Sequence, residues 1–389
     1  MHEQGVIFSI FMIFAGAAVL ATLALWARQA MIVAYIVAGV LLGPSGLGLV
    51  HDQRWIEDVS SIGIMFLLYL LGLNMEPQQL WRMLGEALGV TLASAAVFCA
   101  LGALVGFAAG LGWHEALLVG GCMMFSSTII GLKLLPTTTL HHQHTGQMMI
   151  SVLLLQDLVA IVVLLIVQGY GSGVDPLAGI ARQALALPLL VGVAFVVEKG
   201  VVERLMARYD QIQEYLFLLV IGWCLSIAQL AAWCGLSHEI GAFVAGVTLA
   251  SCPVAAFIAD SLRPLRDFFL VLFFFSLGAG FDFALAREVL LPALVLAGAM
   301  LGLKPYVFRW LFVRAGERAR QSLEVGVRLG QVSEFSLLVA VVAVEAGILR
   351  ASAGYLVQLT TLVSFVLSSY VIVMRYPTPI AVRDSLRRD

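Results

Sequence analysis

From Val6 to Met374 the chain is a nearly unbroken succession of apolar runs, most of them long enough, at about 20 residues, to cross the ~30 Å hydrocarbon core of a bilayer as a helix. Gly, Pro or charge separates them at about residues 6–26, 30–48, 56–74, 84–110, 114–135, 146–169, 177–198, 213–234, 236–250, 265–282, 288–313, 320–348 and 353–374. No soluble fold can bury that much apolar surface, and only 12% of residues are charged against about 25% in soluble domains. The pattern predicts an all-α polytopic membrane protein of about thirteen transmembrane helices. Residues 251–264 read as an amphipathic stretch too short to cross. The start, Met1 to Phe8, has no basic region, so the first run reads as a retained span and not a cleaved signal.

The basic residues orient the chain. Of 22 Lys and Arg, only Arg54, Arg182, Arg287 and Arg350 fall in loops on one side, and Lys304, Arg309 and Arg328 lie within spans. The rest share the other side, which makes it cytoplasmic, with the N-terminus outside and the C-terminus inside. Charges divided between loops offer no nucleic-acid patch. Cys99, Cys122, Cys224, Cys234 and Cys252 lack CxxC spacing and read as free thiols, and no metal framework emerges. Residues 375–389 read as a cytoplasmic tail or linker stub.

Three spans carry polar groups at mid-depth. The sixth, "SVLLLQDLVAIVVLLIV", holds Gln156 and Asp157 near the bilayer midplane, where a carboxylate is costly and marks a functional site. Gln156 points about 100° away from Asp157 on a helix, toward a neighbouring span. The fifth is interrupted at Ser126, Ser127 and Thr128, and the twelfth at Gly330, Gln331, Ser333 and Glu334. Irregular backbone at that depth survives only where protein or a cavity surrounds it, and matching interruptions in two halves point to a transporter's binding site. The fifth and twelfth spans are an odd number of crossings apart, so they run in opposite directions, as in an inverted repeat. That repeat pairs spans four to six with eleven to thirteen and sets Lys304 opposite the half that carries Asp157. The two charges would offset the unlike dipole ends of two crossing broken helices. A carboxylate so placed can titrate within reach of cytoplasmic pH.

Other polar residues leave alternatives open. Glu334 is either an accessory ligand or the partner of Arg328. His141, His142 and His144, in the inner loop between spans five and six, are either a solvated loop or a pH sensor. Glu76 reads as a solvated helix end. Gly102, Gly106 and Gly110 permit close helix approach, within the chain or at a dimer seam.

Seven stretches in order along the chain, "YIVAGVLLGPSGLGLV" (35–50), "IGIMFLLYLLGLNMEPQQLW" (62–81), "SSTIIGLKLL" (126–135), "LLLQDLVAI" (153–161), "GLSHEIGAFVAGVTLAS" (235–251), "LRPLRDFFLVLFFFSLG" (262–278) and "LGQVSEFSLLV" (329–339), resemble the second family of monovalent cation:proton antiporters. The adjacent Gln-Asp is similar to the branch of glutathione-gated potassium efflux systems. The resemblance implies a thirteen-helix antiporter fold with a core at about 84–169 and 288–374 moving against a dimerisation scaffold at about 1–74 and 177–282. It implies that Asp157 carries cation and proton in turn, that the chain is a transporter and not an enzyme, that it forms a homodimer in the inner membrane, and that a cytoplasmic regulatory domain or subunit lies beyond this chain. No cofactor is required beyond the transported K+ or Na+ and H+; hydroxyls, carbonyls and one carboxylate suit either cation. "GQVSEF" departs from the family's "QGGEF", and Arg328 stands where an apolar residue is expected. A channel, a sodium-coupled organic-anion symporter and a non-transporting sensor are the rival functions.

Overall fold

The computed structural model describes residues 2–377 apart from 28, 30, 51–52, 74–76, 134–143, 172–175, 210 and 253–254. Among these the chain forms α1 (His2–Trp26), α2 (Met31–Leu42), α3 (Gln53–Leu73), α4 (Pro77–Ala108), α5 (Trp113–Met123), α6 (Thr128–Lys133), α7 (His144–Gly171) and α8 (Pro176–Val197). A π-helical turn, Glu198–Val202, leads into α9 (Glu203–Arg208). There follow α10 (Gln213–Trp233), α11 (His238–Leu249), α12 (Ala255–Ala279), α13 (Phe283–Arg314), α14 (Ala319–Arg328), α15 (Glu334–Glu345) and α16 (Ala351–Arg375). Among the described residues seven stretches, Val6–Trp26, Ala87–Ala108, Met149–Gly169, Leu185–Arg208, Gln213–Trp233, Phe283–Arg314 and Ala351–Arg375, are long and apolar enough to cross a bilayer. The protein is a multi-pass membrane protein. One boundary differs from the sequence reading: α12 begins at Ala255 and runs through Pro264, so the supposed separate amphipathic stretch is its first turns. Proline removes a single backbone donor there, and the turn is otherwise supported by the Asp260–Arg263 ion pair at 2.8 Å and the Ser261 hydroxyl bonded to the Phe257 carbonyl.

The chain divides into two compact units. The first comprises Met1–Leu20, Tyr35–Leu80 and Gln168–Phe281. Here α3 packs on both α11 and α12. Glycines let backbones touch at several crossings, two of them reciprocal. A methyl at Gly39 of α2 would collide with the Phe275 carbonyl and one at Gly278 of α12 with that of Ile36; Gly72 of α3 and Gly246 of α11 meet Phe243 and Tyr69 in the same way. Ile13, Ala17, Ala38, Leu272 and Phe275 fill the adjoining core.

The second unit comprises Ala21–Ala34, Trp81–Val167 and Asp282–Asp389. In it α13 packs on α14 and α16, and α5 on α15 and α16. Gly102 and Gly106 on α4 press against Gly120 and Ala116 of α5, so this spacing serves packing within the chain, whereas Gly110 has φ +81° and ends α4 in a turn. Gly326 of α14 lies against the backbone of Pro305, next to Lys304. The unit's interior is unusually polar for a membrane helix bundle: Ser126, Ser127, Gln156, Asp157, Lys304, Gln331, Ser333 and Glu334 are all buried.

Candidate ion and proton site

Two helix breaks meet in the second unit. The first is residues 124–127 between α5 and α6, and the second is 329–333 between α14 and α15. Each break exposes the last carbonyls of one helix and the first N–H groups of the next, and in an apolar surrounding all of these need partners. The sequence supplies them locally. Ser127 caps α6 by accepting the Ile130 N–H at 3.1 Å, and Ser333 caps α15 by accepting that of Phe335 at 3.1 Å.

The breaks are also bonded to each other. The Ser126 hydroxyl donates to the Leu329 carbonyl at 2.8 Å, and the Gln331 amide donates to the Ser127 carbonyl at 3.4 Å. Ser336 of α15 donates to the Cys122 carbonyl. Gln156 spans the first break from α7: its Oε1 accepts the Ser126 N–H at 3.0 Å and its Nε2 donates to the Met124 carbonyl at 3.2 Å.

Lys304 does not lie against Asp157. Its ammonium donates to the Phe125 carbonyl at 2.7 Å and the Gln331 carbonyl at 3.1 Å, with the Ser126 hydroxyl at 3.5 Å, and it rests 5.1 Å from the centre of the Phe98 ring. Among the described residues no ion pair joins Lys304 to Asp157. The ammonium lies at carbonyl ends of the broken helices and not against the carboxylate. The ammonium has three donors, and the carbonyl ends of both breaks, with one hydroxyl, use them.

Asp157 is 1% exposed. The half-buried Thr128 hydroxyl donates to its two oxygens at 3.2 and 3.4 Å, and the Glu334 carboxylate, at the start of α15, lies within electrostatic reach. Thr128 is the member of the Ser126–Thr128 trio that touches the carboxylate; the Ser126 hydroxyl bonds the second break and that of Ser127 caps α6. Among the described residues Arg328 forms an ion pair with Glu324, at 2.9 Å, one turn earlier on α14. His141, His142 and Glu76 lie outside the described residues, as does the side chain of His144 at the head of α7.

Sequence reasoning missed the serines of α16. The Ser364 hydroxyl accepts the Val332 N–H at 3.0 Å, and Ser368 donates to Gln331 Oε1 at 3.1 Å. The signal was present: Thr360, Ser364 and Ser368 recur every four residues along one face of an otherwise apolar span. Chemically, the site offers a buried carboxylate, one hydroxyl beside it, and backbone carbonyls held at fixed positions. These are groups that can exchange a proton for a hard monovalent cation.

Residues 11–374 match the family of transmembrane sodium/hydrogen exchangers. The glutathione-regulated potassium-efflux system protein KefC of Salmonella heidelberg is 32% identical over 338 residues, which cover 82% of this chain and 52% of the relative. Its counterpart in Salmonella arizonae is 33% identical over the same length. The chain therefore spans about half the length of the curated relatives it matches. Among solved structures, that of the sodium proton antiporter MjNhaP1 from Methanocaldococcus jannaschii at pH 8 matches with a TM-score of 0.74 at 16% identity, over 95% of this chain and 96% of that one. That likeness shows a common fold. With a family match running almost from end to end, the chain belongs to the transmembrane sodium/hydrogen exchangers, a family of transporters and not of enzymes.

Proposed function

We propose that this chain is a monovalent cation:proton antiporter that exchanges K+ for H+ by alternating access, with Asp157 binding cation and proton in turn. The observation that carries the reading is the buried Asp157 carboxylate, bonded to Thr128 beside two helix breaks that are cross-braced through their own carbonyls. Protonated, Asp157 is neutral and needs no counter-charge. Deprotonated, it attracts a cation, to which its own oxygens and the Thr128 hydroxyl oxygen supply ligands. Lys304 stays at the carbonyl ends and keeps the breaks fixed while the carboxylate changes partner. Potassium is favoured over sodium by the identity to the potassium-efflux proteins, whereas the fold match is neutral between the two.

The architecture proposed around this site has thirteen crossings, the N-terminus outside and the C-terminus in the cytoplasm of a cell whose inner membrane holds the protein as a homodimer. A cytoplasmic regulatory domain or subunit would act from beyond this chain. The glycine contacts support an inverted repeat. The second and third spans correspond to the ninth and tenth, and α2 meets α12 while α3 meets α11, the exchange of partners that a two-fold relation demands. No cofactor takes part; the small ligands are the transported ions.

The test is purified protein in liposomes carrying a pH-sensitive dye, challenged with K+, Na+ and Li+ jumps. Cation-driven proton movement with K+ most effective is expected, and Asp157→Asn should fold and abolish it, because the amide cannot release a proton. Retained exchange in Asp157→Asn would overturn the carrier assignment. Cation flux without proton movement would favour a channel.

A further inference from the structure

Arg328 ends α14 with a fully buried side chain, a position where a guanidinium persists only with several partners. It donates through Nε and Nη2 to Glu324 Oε1 at 3.2 and 2.9 Å, and through Nη2 to the Pro377 carbonyl at 2.9 Å. The half-buried Tyr376 ring lies 5.8 Å from its guanidinium carbon. Tyr376 and Pro377 are the first residues after α16, where the Tyr376 N–H still bonds the Ile372 carbonyl at 2.9 Å. The exit of the last helix is therefore held by the final residue of the helix that leads into the second break.

The next residue, Leu329, opens that break, and its carbonyl accepts the Ser126 hydroxyl of the first break. Two residues further, the Gln331 carbonyl accepts Lys304. A single peptide unit separates the Arg328 tether from the network that braces both breaks. We infer that Arg328 is a positioning residue that ties the Tyr376–Pro377 exit segment to the second helix break, so that a displacement of that segment is transmitted to the Leu329 and Gln331 carbonyls. Only arginine suits the place. Its planar fork meets a carboxylate and a carbonyl at once, and lysine's point charge does not reproduce that geometry. Because the guanidinium is buried, loss of the Pro377 carbonyl leaves a desolvated donor without its bond, which favours an all-or-none change over a gradual one. Whatever pulls or pushes on the chain after residue 377 would then act on the site; the inference rests on the reading of the breaks as the ion site.

The experiment is hydrogen exchange of the full chain, following peptides that contain residues 329–333, in wild type, Arg328→Lys, Tyr376→Ala and the double variant, with cation-driven proton flux measured in parallel. Arg328→Lys keeps the positive charge and loses the fork, and Tyr376→Ala removes the ring beside it. Arg328→Lys should raise exchange at the break about tenfold or more, the loss of one bond to a charged donor, Tyr376→Ala should raise it by less, and the double variant should go no further than Arg328→Lys. The apparent cation KM should rise more than the maximal rate falls. A fall in melting temperature without faster exchange at 329–333, or effects that multiply in the double variant, would overturn the tether. If wild type shows no cation-driven proton flux while the exchange pattern holds, the ion-site reading fails and the tether stands.

Discussion

Replacing Lys304 with Met tests the geometry most directly, because the ammonium's partners are carbonyls and not the carboxylate. Methionine keeps the length and flexibility of the stem and removes the donors. The Phe125 and Gln331 carbonyls, bonded at 2.7 and 3.1 Å, would be left buried without their partner, at about 1–3 kcal/mol each. Losing the desolvation cost of a buried ammonium offsets part of this, and a net destabilisation of about 2–4 kcal/mol is expected. Asp157→Asn should by contrast change stability by less than about 1 kcal/mol, since Thr128 can donate to the amide oxygen as it does to the carboxylate. Equilibrium unfolding in mixed micelles, followed by tryptophan fluorescence, measures both variants and their combination. If the two charges formed an ion pair, the combined variant would recover stability lost by Lys304→Met. Such recovery, or a Lys304→Met protein as stable as wild type, would refute the capping role.

Three further outcomes are expected. Thr128→Ala should raise the apparent cation KM in liposome exchange more than it lowers the maximal rate, whereas Ser127→Ala should chiefly lower stability, by about 0.5–2 kcal/mol for a lost helix cap; equal KM effects would put both hydroxyls on the ion. Gln156→Leu should cost about 2–4 kcal/mol in thermal or chemical unfolding, because it leaves the Ser126 N–H and Met124 carbonyl buried and unbonded; unchanged stability would show that the first break holds without it. Exchange should be one cation for one proton and electroneutral, so clamping liposomes at different potentials at fixed gradients should leave the reversal point in place. A shift, at about 2.3 kcal/mol per charge per 100 mV, would make Lys304 or Glu334 a second proton site.

Much of this was legible because bilayer physics writes itself into sequence. Apolar run length marks the helices, and polar residues at mid-depth mark the breaks: "FSST" (125–128) and "GQVSE" (330–334) overlap the breaks at residues 124–127 and 329–333, each ending on the first residue of the next helix. What periodicity could not supply was partner choice. Lys304 reads as offsetting a helix end, but which carbonyl oxygens it meets, those of Phe125 and Gln331, carries no letter in a sequence. Arg328 raised the same ambiguity, and Glu324, four residues back on the same helix, resolves it by the i, i+4 geometry that any helix provides. The Pro264 boundary was misread because proline was taken as a stop where it costs only one bond within α12.

The distribution of donors and acceptors explains why function should concentrate on one side chain. Backbone groups flanking the breaks draw partners from Gln156, Gln331, Ser364 and Lys304, and the hydroxyls of Ser126, Ser127 and Ser333 are engaged in bracing or capping. Asp157 differs. An ionised carboxylate offers about four acceptor positions, and among the described residues a single hydroxyl, shared between its two oxygens, faces it. A braced polar frame around Asp157, with acceptor capacity to spare on the carboxylate, is what the proposed exchange of a proton for a small cation requires. The same count explains Lys304: with its three donors already directed at Phe125, Gln331 and Ser126, it could neutralise Asp157 only by abandoning the two breaks it braces.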